Sequence, residues 1–290
     1  MPLHLASTRI ALAFSALLGL LLCAVPLLGV HGVESALVMG VVLPPFTACI
    51  GARLALACRR ESSCRADGVA VLRAALLAAL LVLATPTLIL ALNFVRVRNC
   101  SPLQGLAFIA LGPGFGVALA SAVGVVAGRL IRRGWLATTA AVLLPISGMA
   151  LAVYELYSTP AVFAYGHFFG FFHGSFYDEE VGIPDALLTL RLVTTAMLLA
   201  IAALLSARPA RAGSGISAVI SPLQAVALIV ALGAVSYTAI DGPELGLRAD
   251  SGFIAEQLGE RVEGQRCTVV LPVETPRSEV ERLSADCDFR

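Results

Sequence analysis

The chain contains 290 residues, of which 58% are hydrophobic and 13% are charged, and its formal net charge is +1. A soluble domain carries about 25% charged residues, so this composition excludes an ordinary water-soluble globule and favours a protein whose apolar side chains face lipid. The nearly neutral charge gives no reason to expect nucleic acid as a partner.

Seven long apolar stretches run along the chain. A helix needs roughly 20 apolar residues to cross the hydrocarbon core, and the continuous runs lack the alternation of membrane strands. The predicted spans are residues 10–30, 36–56, 69–92, 103–127, 136–154, 186–205 and 220–240. The predicted fold is therefore an all-α integral membrane protein, with a seven-transmembrane-helix bundle over residues 1–242 and a short extracytoplasmic αβ tail over residues 243–290.

The distribution of arginine predicts the orientation of the bundle. Alternate gaps between the spans, counted with the helix ends, hold eleven arginines against two. The positive-inside rule then places the N-terminus in the cytoplasm and the C-terminus outside. Arg96 and Arg98 lie on the arginine-poor side. The first apolar run is longer than the roughly 7–15 residues of a signal peptide, which favours an uncleaved anchor.

Prolines occur inside several predicted spans. Pro44-Pro45, Pro86 and Pro145 are expected to interrupt or kink their helices, and the segment 112–114 (Gly-Pro-Gly) is expected to break the fourth span. Ordinary kinks in a bundle are the favoured interpretation, and broken helices that build a transport site are the alternative.

The fourth span carries small residues at every fourth position. Small residues at this spacing allow another helix to approach closely. We interpret this face as an intramolecular helix–helix seam, with a dimer interface as the second possibility. Its members are Gly112, Gly116, Ala120, Gly124 and Gly128.

Arg191 lies about two turns into the sixth span. A charge at that depth needs a partner or a wet cavity. The favoured interpretation is that Arg191 snorkels toward carboxylates just outside the span, and the alternative is a site for an anionic ligand. No Asp, Glu or His lies at mid-membrane depth in any predicted span, which counts against ion-coupled transport.

The long loop over residues 155–185 is rich in aromatic residues and is expected to lie on the outer leaflet or to dip slightly into it. It is the candidate functional loop, because loops tend to carry function. Its candidate residues are His167, His173, Tyr177, Asp178, Glu179 and Glu180. Two histidines and three carboxylates could form a metal site, but their spacing is irregular and the chain contains no HExxH motif. We therefore predict a solvated interfacial cap, with no metal, no cofactor and no catalytic residue.

The tail after the last span has soluble character. It is predicted to form a helix over residues 251–258, a strand over 267–273 and a final helix that begins at Thr275-Pro276. Of the three cysteines on the predicted outer side, Cys267 and Cys287 form the preferred disulfide, which leaves Cys100 over. A lone strand and helix cannot bury a core, so the tail is either the start of an αβ domain or a segment that docks onto the bundle.

Three short motifs resemble a group of membrane proteins. They are residues 99–102 (Asn-Cys-Ser-Pro), residues 168–179 from Phe168 to Glu179, and residues 285–287 (Ala-Asp-Cys). Together they resemble uncharacterised multi-pass bacterial membrane proteins, some of which carry a zinc-peptidase-like extracytoplasmic domain. The resemblance implies a bacterial inner-membrane protein that anchors such a domain. The zinc-binding motif is lacking here, so no catalytic residue is carried over.

The leading functional hypothesis is a non-enzymatic membrane anchor or scaffold that presents its outer loop and tail to an extracytoplasmic protein domain. A transporter or permease component is the alternative, and a membrane-embedded hydrolase that uses His167, His173 and the 178–180 carboxylates is the second alternative. The lipid bilayer is the one partner that the composition itself predicts.

Overall fold

A computed structural model of the chain describes residues 2–59, 67–174, 182–206 and 221–289. This part of the chain is mostly helical and contains two small antiparallel hairpins. The long helices are α1 (Pro2–Ala24), α2 (Val33–Cys58), α3 (Gly68–Leu92), α4 (Pro102–Leu130), α5 (Gly134–Ser158), α6 (Asp185–Leu205) and α7 (Pro222–Ile240). The short elements are β1 (Ala164–Gly166), β2 (Gly170–Phe172), α8 (Ser251–Leu258), β3 (Gly259–Glu263), β4 (Thr268–Pro272) and α9 (Arg277–Phe289).

Six helices, α2 to α7, are long and apolar enough to cross a bilayer, which confirms the prediction of a multi-pass helical membrane protein. Their outer faces support this. On α7, for example, Leu223, Ile229 and Leu232 are 78%, 67% and 60% exposed. Exposing such area to water costs about 25 cal/mol per Å², whereas lipid solvates it. The described apolar part of α1 is the shorter segment Thr8–Ala24.

Helix α1 and the first predicted span have different bounds. Helix α1 ends at Ala24 and not at residue 30. Pro26 disfavours helical geometry at the residue before it, and Leu27 adopts a φ of 70°. The chain therefore turns over residues 25–32 before α2 begins at Val33.

The expected interruptions by proline do not occur. Helices α2, α3 and α5 run without a break through Pro44-Pro45, Pro86 and Pro145. The expected break in α4 is a π-helical turn over Ala110–Gly114 instead, and the helix continues on both sides of it. Such turns widen a helix without ending it and are frequent at functional sites.

Helices α2 and α4 are neighbours at very close range. A Cβ atom added to Gly124 would lie less than 3.0 Å from the Ala48 carbonyl, and one added to Gly128 would lie equally close to the Ala52 carbonyl. Because the contacts advance in the same direction along both helices, α2 and α4 run parallel. The small residues of α4 therefore let two backbones touch.

The main core lies where α2 packs between α1, α3 and α4. Met39 and Leu43 of α2 and Leu90 of α3 are fully buried, and they belong to one apolar cluster with residues of α1 and α4. The protein interior is therefore centred on α2, with α7 packed mainly against α6 at the periphery.

Helix ends are closed by long polar side chains. At the end where α4 finishes, Arg59 donates hydrogen bonds to the carbonyls of Gly128 and Ile131 at 3.2 and 2.9 Å. At the other end, Arg96 donates to the carbonyl of Cys23, the penultimate residue of α1. The last carbonyls of a helix lack partners within that helix. Arg96 supplies such a partner, which explains why an arginine lies on the side of the bundle where the sequence has few.

The two ends of the bundle are named by their contents. The end that carries β1 and β2 is called the hairpin end, and the one that carries Arg59 is called the opposite end. The tail also leaves from the hairpin end, since it follows the last residue of α7, Ile240.

The tail forms a two-stranded sheet between two helices. Strands β3 and β4 pair antiparallel from Gly259↔Pro272 to Glu263↔Thr268. The structure joins Cys267 and Cys287 in a disulfide with a Cα–Cα distance of 6.1 Å, which ties the start of β4 to α9. Helix α8, strand β4 and helix α9 lie where the sequence placed them, whereas β3 was not predicted.

Asp288 closes the turn between β3 and β4. Its carboxylate accepts hydrogen bonds from the backbone N–H groups of Gln265 and Arg266 at 2.9 and 2.8 Å. These bonds, first that of Arg266 and then that of Gln265, hold the pKa of Asp288 below its ordinary value of 3.8.

We predict that Gly124→Ala lowers the free energy of unfolding by about 1–3 kcal/mol, because the added methyl group must push α2 and α4 apart. Gly233→Ala on α7 is the matched control, since a Cβ there has no neighbour within 4 Å. The control should be neutral or slightly stabilising. Thermal unfolding in detergent measures both, and equal melting temperatures for the two variants would contradict the close seam.

We also predict a pH dependence of the turn over residues 264–267. Because the folded pKa of Asp288 is lowered, its stabilising effect is fully present above the unfolded value near 3.8 and is lost as the pH falls through the folded value. Hydrogen exchange of the Gln265 and Arg266 amides should therefore accelerate below about pH 4 relative to intrinsic rates. Asp288→Asn should remove this pH dependence. The prediction is wrong if exchange of these two amides in Asp288→Asn accelerates with falling pH as it does in the wild-type protein.

Candidate functional site

The candidate site is built around the β1–β2 hairpin, between α5 and α6. The strands pair from Ala164↔Phe172 to Gly166↔Gly170, and His167, Phe168 and Phe169 form the turn. Gly170 has a φ of +101°, a conformation that residues with a side chain rarely adopt. A Cβ at this position would also collide with the backbone of Gly112, so the hairpin requires glycine here.

The tip of this hairpin lies inside the helical bundle. Phe168 and Phe169 are only 9% and 6% exposed. Their neighbours Gly40 and Arg191 are each about two turns, or about 10 Å, from the starts of α2 and α6. The hairpin therefore packs inside the bundle, whereas the sequence predicts a loop that lies over its outer surface.

Glycines on three helices make room for the tip. A Cβ on Gly116 of α4 would lie less than 3.0 Å from the Phe168 carbonyl, and one on Gly40 of α2 would collide with the Phe169 carbonyl. Gly148 of α5 faces the ring of Phe168, 3.1 Å from where its Cβ would lie. The part of the α4 face that includes Gly112 and Gly116 thus receives the hairpin, while Gly124 and Gly128 face α2.

Arg191 binds the backbone of the hairpin from α6. Its Nη1 donates to the His167 carbonyl at 3.0 Å and its Nη2 donates to the Gly166 carbonyl at 3.3 Å. The guanidinium also lies over the ring of Phe115, 5.5 Å from the centroid. Arg191 is only 3% exposed, so it does not snorkel to the membrane surface as we had expected.

His167 is held by a second residue of α6. Its Nδ1 lies 2.9 Å from the Thr194 hydroxyl, and that hydroxyl donates its single proton to the Leu190 carbonyl at 2.8 Å. With the hydroxyl proton used in this way, Nδ1–H of His167 is the donor to the Thr194 oxygen.

Of the other predicted loop residues, the described part of the chain includes His173, which hydrogen-bonds neither Arg191 nor Thr194. His173 follows β2, and its ring stacks on Phe172 with centroids 6.2 Å apart. Tyr177, Asp178, Glu179 and Glu180 lie outside the described residues. Among the described residues, no group of three or more His, Cys, Asp or Glu side chains could hold a metal ion.

Several residues of the site were missed by the sequence interpretation, namely Thr194, Phe115, Gly40 and Gly148. Thr194 lies three residues after Arg191 and so shares its helix face, which is a usable signal. Gly40 and Gly148 are single glycines within apolar runs, and such glycines have no pattern that distinguishes a cleft for a hairpin from a helix contact.

Comparisons of the chain with protein-family models, curated proteins and solved structures found no match. The chemistry of the site must therefore be inferred from its geometry. Two N–H groups of Arg191 and the hydroxyl oxygen of Thr194 hold a non-helical segment within the bundle. This arrangement anchors the hairpin within the bundle.

We predict that Arg191→Met releases the hairpin and lowers the free energy of unfolding by about 2–4 kcal/mol, because two buried carbonyls lose their donors. Hydrogen exchange of the peptide over residues 164–172, with the protein in detergent, should accelerate by at least about tenfold. Arg282→Met, in the tail and with a side chain that is 69% exposed, is the control and should change neither quantity. Wild-type protection of the hairpin in Arg191→Met would show that Arg191 does not retain it.

Proposed function

We propose that this chain is a non-enzymatic membrane scaffold that presents its tail and hairpin-end loops to an extracytoplasmic protein domain. The proposal is supported by one observation above all: the start of the tail is fixed to the bundle. Leu247 is 8% exposed and clusters with Leu187 and Leu190 of α6. Tyr165 and Phe171 of the hairpin pack against the same cluster. A rigid joint of this kind suits a platform that positions an attached element.

The orientation in this proposal follows from the arginine distribution, which places the hairpin end outside the cytoplasm. Disulfides do not distinguish the two ends. Cys267 and Cys287 are bonded in the tail, and Cys58 at the opposite end is disulfide-bonded as well. We further propose that α1 is the seventh span, that the bundle passes into the tail near residue 242, and that the membrane is a bacterial inner membrane.

The exposed surface of the tail suits a protein partner. Val273 and Phe289 are 72% and 88% exposed, and the sheet of β3 and β4 has two strands, so each strand has one edge that the other does not cover. Open strand edges and exposed apolar side chains are features that binding partners use.

Transport and hydrolysis receive less support. Broken helices would favour a transporter, but α2, α3 and α5 continue through their prolines. Of the proposed acid–base residues of a hydrolase, His167 is bonded to Thr194, and His173 lies against aromatic rings.

Site-specific photo-crosslinking in intact cells tests the scaffold. A photoreactive residue at Val273 or Phe289 should form an adduct with an extracytoplasmic protein, whereas one at Trp135, which is 67% exposed near the opposite end, should not. The proposal would be contradicted if the residue at Trp135 formed an adduct with that same protein. It would also be contradicted if neither tail position formed an adduct with any protein. A solute flux in reconstituted liposomes that Arg191→Met abolishes would instead favour transport.

A further inference from the structure

An apolar crevice opens to the membrane beside the hairpin. It has a volume of about 210 Å³ and lies between α2, α5 and the hairpin. All of its lining residues are apolar, including Leu37, Val41, Met149, Val153, Phe169 and Phe172. Val41 and Val153 are 43% and 54% exposed, so the crevice is accessible from the lipid phase.

A polar pocket adjoins this crevice at the hairpin end. It also has a volume of about 210 Å³, and it shares Ala152 and Ala164 with the crevice. Its polar lining comprises Glu155, Thr159, Tyr165, Arg248 and Asp250. The two cavities therefore lie side by side and share part of their wall, with the apolar crevice at membrane depth and the charged pocket at the hairpin end.

We infer that this composite site binds one phospholipid with a zwitterionic, primary-amine headgroup, namely phosphatidylethanolamine. An acyl chain lies in the apolar crevice, and the headgroup lies in the polar pocket. The inference requires the chain to be in a bilayer, but it does not depend on the proposed scaffold function or orientation.

The charges of the polar pocket match this headgroup. Arg248 uses one Nη2 hydrogen bond on the Ala239 carbonyl, at 2.6 Å, and a guanidinium has five N–H donors, so others are left for a phosphate. Glu155 is exposed and has no ion-pair partner among the described residues. Its carboxylate can accept hydrogen bonds from an ammonium group.

The same charges disfavour the other common headgroups. Asp250 accepts a hydrogen bond from the N–H of Phe253 and caps α8, so a second carboxylate is fixed at the rim. An anionic headgroup such as glycerol phosphate can bind Arg248 through its phosphate, but it carries no positive charge to interact with the two carboxylates. A choline headgroup carries a positive charge but has no N–H to donate to Glu155.

The depth of the crevice matches one leaflet. Val41 lies about 12 Å from the start of α2, and Met149 lies about 14 Å from the end of α5, at 1.5 Å per residue. Half of the hydrocarbon core is about 15 Å thick. An acyl chain whose headgroup sits at the hairpin end can therefore follow the crevice along most of its depth.

Lipid retention tests the inference. The full chain is placed in nanodiscs that contain equal amounts of phosphatidylethanolamine, phosphatidylglycerol and phosphatidylcholine, then extracted into mild detergent and measured by native mass spectrometry. One retained phosphatidylethanolamine is expected, with at least about threefold preference over either other lipid, as suits partly exposed charge pairs. Equal retention of the three lipids, or preference for phosphatidylglycerol, overturns the inference.

Matched variants locate the site. Ala152→Phe fills the junction of the two cavities and should reduce retention at least fivefold, whereas Ala150→Phe, exposed to lipid on the same helix, should not. Glu155→Gln should abolish the preference for phosphatidylethanolamine, whereas Glu256→Gln on α8 should keep it. Because Ala152→Phe can disturb folding, Ala152→Leu and the melting temperature are measured alongside. A folded variant of Ala152 or Glu155 that behaves like its control overturns the inference.

Discussion

A polar backbone group that enters a bilayer must find its partner inside the protein, and the β1–β2 hairpin is where this constraint acts most strongly. Helices satisfy their own N–H and C=O groups, but the turn over residues 167–169 cannot. Arg191 supplies the missing donors to two carbonyls at the tip. Its own charge is then accommodated by carbonyl oxygens and by the ring of Phe115. The hairpin and Arg191 thus depend on each other for their place in the bundle.

The glycines of α4 provide the space that the hairpin and α2 need to approach this helix. Gly124 and Gly128 allow α2 to approach along one half of the helix, and Gly112 and Gly116 receive the hairpin along the other half. The π-turn over Ala110–Gly114 lies in the half that receives the hairpin. One regular spacing of small residues therefore builds two different contacts, one with a helix and one with a re-entrant segment.

The sequence predicted what depends on local pattern and missed what depends on distant partners. Length and hydropathy located α2 to α7, and the Thr275-Pro276 pair marked the start of α9. The hairpin was missed because Phe168 and Phe169 have the same sequence signal whether they lie at an interface or in a glycine-lined cleft. The acceptors of Arg191 are backbone carbonyls, which every residue has, so no residue type in the sequence marks them. Strand β3 was missed because Glu260, Arg261 and Glu263 give it a polar character.

The energetics of the tip favour a permanent structural part over a moving gate. A gate needs two states that differ by only a few kcal/mol. Withdrawal of the hairpin would strip Arg191 of both carbonyl acceptors in a buried position, at a cost of about 1–3 kcal/mol for each unsatisfied group and more for the charge. It would also open the cleft that Phe168 and Phe169 fill and loosen the cluster around Leu247. Because these losses occur together, they favour the inserted state, in which the hairpin and the start of the tail pack in one apolar cluster on α6.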